Sequence, residues 1–184
     1  MNYEKIDRNS VSEGRGVRVV LWVSGCSMQC KNCHNPQTRD FNSGIPFTSD
    51  TMQEILDYLD KPYISGLTIS GGHPLEGQNI GDVKVIVKTV KEIFPDKTIW
   101  LYTGHTWEDI SIIVKGTENP WKYSFIPAQH DYDLAEILYS TDVIVDGRYI
   151  DELRDITLPF RGSSNQRIID VQQSLKTGEV VLYG

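Results

Sequence analysis

The 184 residues suffice for one domain with a substantial core but fall short of the roughly 250 typical of a complete eight-unit barrel. With 39% hydrophobic and 23% charged residues the chain has an ordinary folded composition, and a formal net charge of -7 argues against sequence-independent attraction to nucleic acid phosphates or anionic lipid. The amino terminus, Met1 to Arg8, is polar and no run approaches the roughly 20 apolar residues that span a bilayer, so the expectation is a cytoplasmic protein without membrane or nucleic acid partners.

Val17 to Val23 is short, rich in β-branched and aromatic residues, and stops at Ser24-Gly25, which reads as the first core strand. Thr51 to Leu59 then sets Met52, Ile55, Leu56 and Leu59 on one helix face, with Asp50 and Gln53 as the expected cap. Gly66 to Ser70 reads as a second strand, followed by Gly71-Gly72. Val83, Ile86, Val87, Val90 and Ile93 repeat with helical period until Pro95 closes the helix. A third strand is expected at Thr98 to Tyr102, a helix near Trp107 to Val114, and a fourth strand at Val143 to Val145, ending in Asp146-Gly147. Residues 115–133, with Pro120 and Pro127, show no clean period and are expected as a long surface loop. No repeat, low-complexity tract or linker interrupts the chain, so residues 1–184 are taken as a single domain.

Strands alternating with helices imply a mostly parallel α/β sheet. The segments after the four strands, Cys26 to Cys33, Gly71 to Pro74, Thr103-Gly104-His105 and Asp146-Gly147-Arg148, would then share one carboxyl edge, where such folds put their active sites.

All three cysteines fall in Cys26-Ser27-Met28-Gln29-Cys30-Lys31-Asn32-Cys33, a C-x3-C-x2-C run directly after the first strand. In a reducing compartment they read as thiols or metal ligands. So short a loop can wrap its thiolates around one iron–sulfur cluster, and three ligands for four irons leave one iron open to a substrate. Other readings stay open: buried apolar cysteines on a helix face, zinc on Cys26, Cys30, Cys33 and His34, or haem attachment at Cys30-Lys31-Asn32-Cys33-His34.

A C-x3-C-x2-C loop after a first strand resembles the signature of the radical S-adenosylmethionine (radical SAM) superfamily. The match narrows through Trp22-Val23-Ser24-Gly25-Cys26, Cys33-His34-Asn35, Asn42-Ser43-Gly44 with Pro46-Phe47-Thr48, and Ser70-Gly71-Gly72-His73-Pro74-Leu75 with Gln78-Asn79. It continues through Trp100 with Thr103-Gly104, Val145-Asp146-Gly147-Arg148, and Arg161-Gly162-Ser163-Ser164-Asn165-Gln166. In order and over about residues 1–170, these resemble the glycyl radical enzyme activases, and among them the activating proteins of anaerobic ribonucleoside-triphosphate reductase.

The resemblance implies a single radical SAM domain folded as an incomplete TIM-like barrel, with a mostly parallel sheet and helices on its outer face. It implies an oxidoreductase with two cofactors, a [4Fe–4S] cluster on Cys26, Cys30 and Cys33, and S-adenosyl-L-methionine (SAM). Gly71 and Gly72 correspond to the glycine pair beside the methionyl amine. Asn32, Cys33 and His34 border adenine and cluster, and Thr103 and Gly104 lie near the ribose. The family has an acidic residue where this chain has His73, which is kept among the cofactor-binding residues with a solvated turn as its alternative.

The reaction so implied passes one electron from the reduced cluster into the sulfonium. A C–S bond breaks, giving methionine and a 5′-deoxyadenosyl radical, and that radical takes hydrogen from a glycine Cα of the reductase. No acid–base residue is assigned, and no Ser, His and Asp set suggests one. The implied partners are the reductase and a flavodoxin-like electron donor. Competing functions are an activase of the pyruvate formate-lyase type and a zinc-binding interaction module. The Arg161 to Gln166 segment is expected at an edge or partner-facing surface, or as a capped turn.

Overall fold

The computed structural model describes residues 1–118 and 128–184. Among them are seven strands in one sheet and five α-helices. In chain order these are β1 (Asn2–Ser10), β2 (Val17–Val23), β3 (Ile45–Pro46), α1 (Ser49–Leu59), β4 (Ile64–Gly71), α2 (Ile80–Ile93), β5 (Thr98–Tyr102), α3 (Trp107–Glu118), α4 (Gln129–Ser140), β6 (Val143–Asp146), β7 (Arg167–Asp170) and α5 (Val171–Thr177). The spatial order is β3-β1-β2-β4-β5-β6-β7. The four expected strands, β2, β4, β5 and β6, form a parallel centre, flanked by antiparallel β1, β3 and β7.

The central strands are buried on both faces, which is why they read as nearly continuous apolar runs. On one face Val19, Leu21, Val23, Leu67, Ile69, Ile99, Leu101 and Ile144 join the apolar sides of all five helices in one core. The opposite face carries Trp100, Val143 and Val145, covered by Tyr102, Phe160, Ile168 and Tyr183 rather than by helices. Among the described residues the helices therefore lie on one side. That leaves the other side free to enclose a cavity at the carboxyl ends of the strands.

Arg18 seals the amino end of this second face. It is fully buried and donates to Thr68 Oγ1 at 2.7 Å, Leu67 O at 2.6 Å, Thr98 O at 2.8 Å and Thr98 Oγ1 at 3.0 Å. Its guanidinium lies 5.4 Å from the centre of the Trp100 ring. Burial lowers its pKa to about 10, and the neutral oxygen cage keeps the cation tolerable.

Two expectations are corrected. Helix α1 is capped by Thr48 with Thr51, each hydroxyl 3.3 Å from the other's backbone nitrogen, and not by Asp50 with Gln53. Thr48 is the last extended residue, so Asp50 already sits in the first turn, where its charge suits the helix dipole. The long loop is also shorter than expected. Lys115 to Glu118 continue α3, while Gln129 to Asp133 open α4, and only residues 119–127 of that span lie outside the described residues. The polar first turn of α4 hides its period, because its buried Leu134, Ala135, Ile137 and Leu138 begin past that turn. Among the described residues no helix is long and apolar enough to cross a membrane.

Candidate functional site

The carboxyl ends of the parallel strands open into a cavity of about 510 Å³. Its lining includes Cys26, Cys30, Cys33 and His34 after β2, Gly71, Gly72 and His73 after β4, Thr103 and Gly104 after β5, and Gly147 after β6. Nine of the ten residues expected to hold cluster or cofactor thus meet in one space, with Gly147 beside them. Asn32 does not line it: its backbone has φ 52°, a left-handed turn that asparagine tolerates, and its side chain donates to Asp151 at 2.8 Å.

The cysteine loop is anchored on both flanks. At its start Gly25 N donates to Thr38 O at 2.8 Å and Cys26 N to Arg39 O at 3.1 Å, while Gly72 N reaches Val23 O at 2.7 Å and His73 N reaches Gly25 O at 2.8 Å. Glu76 Oε1 then accepts from Ser27 N at 2.8 Å and Ser27 Oγ at 2.6 Å. At the far end Lys31 pairs with Glu152 at 2.8 Å, Asn32 binds Asp151, and Arg148 donates to Met28 O. The surface pairs are individually weak. Together with the backbone bonds they stretch the loop across the cavity mouth.

The three thiols are free and half-buried. Burial pushes the Cys26 thiol up, and its two neighbouring cysteines add to the shift while the Met28 backbone opposes it. Asn35 N approaches Cys33 Sγ at 3.4 Å. Among the described residues no three His, Cys, Asp or Glu side chains converge closely enough for one metal ion. A four-iron cluster binds its cysteines at separate corners, farther apart than ligands of a single zinc, so a purely thiol set spread around one cavity fits the cluster. His34 packs against Tyr149, with ring centres 5.0 Å apart.

His73 is buried rather than a solvated turn residue, at 2% exposure. Its Nδ1 faces Glu76 at 3.3 Å and its Nε2 faces Thr103 Oγ1 at 2.9 Å. Because a carboxylate only accepts, the neutral ring carries its proton on Nδ1 and accepts the Thr103 hydroxyl, which accepts in turn from His105 N at 3.1 Å. Burial first, then the adjacent His105, lower the His73 pKa to about 4, with Glu76 pulling the other way. An unfolded histidine titrates near 6.5. Between those values the unfolded chain binds the extra proton, so stability falls as pH drops from about 6.5 to about 4, by up to about 3 kcal/mol from this residue. Thermal unfolding of wild type and His73→Gln across that range should show a shallower slope in the variant; parallel slopes would refute the assignment.

Several residues at the site were given no place in it by the sequence. Glu76 and Asp151 act through contacts 49 and 119 residues away in the chain, which no local pattern reveals. Trp22, Tyr102 and Phe160 wall the cavity from the helix-free face of the sheet, so strand alternation could have found the first two. Arg161, Gly162 and Gln166 also line it, in a segment expected at an edge or partner-facing surface, or as a capped turn.

An α/β sheet presenting a three-thiol loop to a cavity at its carboxyl edge defines a single-cluster iron–sulfur protein, and the family model described as a 4Fe-4S single cluster domain matches residues 12–169. The anaerobic ribonucleoside-triphosphate reductase-activating protein of Enterobacteria phage T4 is 39% identical over 168 residues, covering 91% of this chain and 93% of that one. Proteins of the same description from Vibrio cholerae and Escherichia coli K12 are 36% and 33% identical, each covering at least 90% of this chain and 96% of their own. The chain belongs to the family of anaerobic ribonucleoside-triphosphate reductase-activating proteins.

Proposed function

We propose that this chain activates anaerobic ribonucleoside-triphosphate reductase by generating a glycyl radical on it, cleaving SAM reductively with a [4Fe–4S] cluster on Cys26, Cys30 and Cys33. The observation that carries this reading is the meeting of all three cysteines with the Gly71-Gly72 and Thr103-Gly104 turns on one cavity, in a chain 39% identical to an activating protein of that reductase. When bound, the cluster supplies one electron and an iron open to the amino and carboxylate groups of SAM.

The protein's part is to bind, orient and exclude water. Gly71 and Gly72 border the methionyl end, Cys33 and His34 the adenine side, and Thr103 and Gly104 the ribose. Asn32 acts by shaping the turn before Cys33, and His73 by holding Thr103 and Glu76. Trp22, Tyr102 and Phe160 give the cavity aromatic walls that keep a reactive radical from solvent. No side chain need titrate during the reaction. Helices confined to one face of a parallel centre are what an incomplete TIM-like barrel requires, and we assign that architecture. A flavodoxin-like donor and a cytoplasmic setting complete the reading.

The test mixes the anaerobically reconstituted, reduced protein with SAM and the apo-reductase, then records electron paramagnetic resonance. A glycyl radical on the reductase together with 5′-deoxyadenosine is the expected result. A radical formed only on pyruvate formate-lyase would transfer the assignment to that target, and zinc without iron in anaerobically prepared protein would end it.

A further inference from the structure

Glu76 closes a hydrogen-bonded circuit between the cysteine loop and the exit of β4. Its Oε1 accepts from Ser27 N at 2.8 Å, from Ser27 Oγ at 2.6 Å and from His73 Nδ1 at 3.3 Å, so three donors converge on one carboxylate oxygen. Behind it Glu76 N donates to His73 O at 3.1 Å, and Asn79 Nδ2 donates to His73 O at 3.0 Å and to Ser24 O at 2.9 Å. The carboxylate is thereby fixed on the residue that follows Cys26, and held there by a braced turn.

Its charge is left standing. Among the described residues the ion-pair partner of Glu76 is His73 alone, and burial keeps that ring neutral down to about pH 4. Burial opposes ionisation of Glu76 itself, but the two Ser27 donors and His73 outweigh it and hold the carboxyl below its usual range. The side chain is 16% exposed, so salt screens it less than a surface charge. The far end of the loop carries the opposite sign: Arg39 donates to Cys30 O, Arg148 donates to Met28 O, and Lys31 pairs with Glu152. After burial and the opposing Met28 backbone, the Glu76 charge acts most strongly on the Cys26 thiol, and it disfavours negative charge there.

An iron–sulfur cluster gains one negative charge when it takes up an electron, and nearby charge and hydrogen bonds to its sulfurs set its potential. A fixed carboxylate repels the added charge. The Ser27 N–H that it engages is not available to a cluster sulfur, which works in the same direction. We infer that Glu76 is a positioning residue that lowers the reduction potential of the cluster on Cys26, Cys30 and Cys33, making the reduced cluster a stronger electron donor to the sulfonium. The inference rests on the reading that a [4Fe–4S] cluster occupies those cysteines.

The test is a potentiometric titration of the anaerobically reconstituted protein without SAM, with the reduced cluster counted by electron paramagnetic resonance. Glu76→Gln keeps an oxygen to accept from Ser27 and removes the charge. It is expected to shift the reduction equilibrium roughly tenfold toward the reduced cluster, which is about 59 mV for one electron. Glu76→Asp, which retains the charge, should stay within about threefold of wild type. If the glutamine variant does not take up iron, Gly77→Lys replaces it, since a Cβ on Gly77 meets no atom within 4 Å and the ammonium offsets the carboxylate from outside. At low ionic strength this variant should shift the equilibrium the same way by roughly threefold. An unchanged potential in the glutamine variant, or in Gly77→Lys where that variant is needed, would overturn the inference. Equal shifts in Glu76→Gln and Glu76→Asp would also overturn it, because they would mark a loss of shape rather than of charge. Wild-type protein that holds iron but no reducible cluster would overturn the cluster reading instead, and the two failures are therefore distinguishable.

Discussion

Replacing Cys26, Cys30 or Cys33 singly by alanine is expected to abolish SAM cleavage and the cluster's electronic absorption together. The chain has three cysteines in all, so no spare thiol can take the vacated corner. His34, the adjacent alternative donor, is packed against Tyr149 and Gly162. Loss of an outer-shell partner alone costs a metal site roughly 10- to 100-fold; removing one of three direct ligands should exceed that and leave no measurable 5′-deoxyadenosine. Anaerobic reconstitution followed by iron analysis, absorption and product chromatography checks all three variants. Any variant that kept both absorption and cleavage would lose its cysteine as a ligand.

The parts of the fold that were legible in the sequence are those where burial on both faces wrote a long apolar run. Val17 to Val23 and Thr98 to Tyr102 were read with the observed bounds, and Gly66 to Ser70 fell one or two residues short at each end. Strand β1, second from the edge beside the two-residue β3, escaped because Asn2 to Ser10 is mostly polar and buries only Tyr3. The site divides the same way. Residues placed by strand ends, such as the cysteines and Gly71-Gly72, were found from local spacing, since a parallel sheet delivers every strand's exit to one edge. Glu76 and Asp151 were not, because each gains its role from a contact distant in sequence and neither stands in a pattern. His73 lines the cavity as a cofactor-binding residue would, but its alternative as a solvated turn residue fails, because its ring is enclosed between Thr103 and Glu76.

Gly72→Ala should unfold more than a ligand contact, and this decides what the glycine pair is for. Spacing and resemblance assign Gly71 and Gly72 to close approach by SAM. The backbone makes a prior demand. A Cβ on Gly72 would stand 2.5 Å from Gly25 O and 2.9 Å from Thr38 O, and neither carbonyl belongs to a flexible side chain that could swing away. Gly71 has φ 100°, and a Cβ there would stand 2.8 Å from Val23 O. These carbonyls belong to β2, the cysteine loop's first residues and the turn behind them, which are joined by the Gly72 to Val23, His73 to Gly25 and Gly25 to Thr38 hydrogen bonds. Forcing in one methyl group must part that seam, at a cost of about 2–4 kcal/mol, or roughly 5–15 °C of melting temperature for a chain this size. The loop should then release iron faster even before SAM is added. Melting curves and chelator-driven iron loss, both measured without SAM, provide the check. A Gly72→Ala protein as stable and as iron-retentive as wild type, but with weakened SAM binding, would show that the ligand alone needs the glycine and that the seam tolerates a side chain.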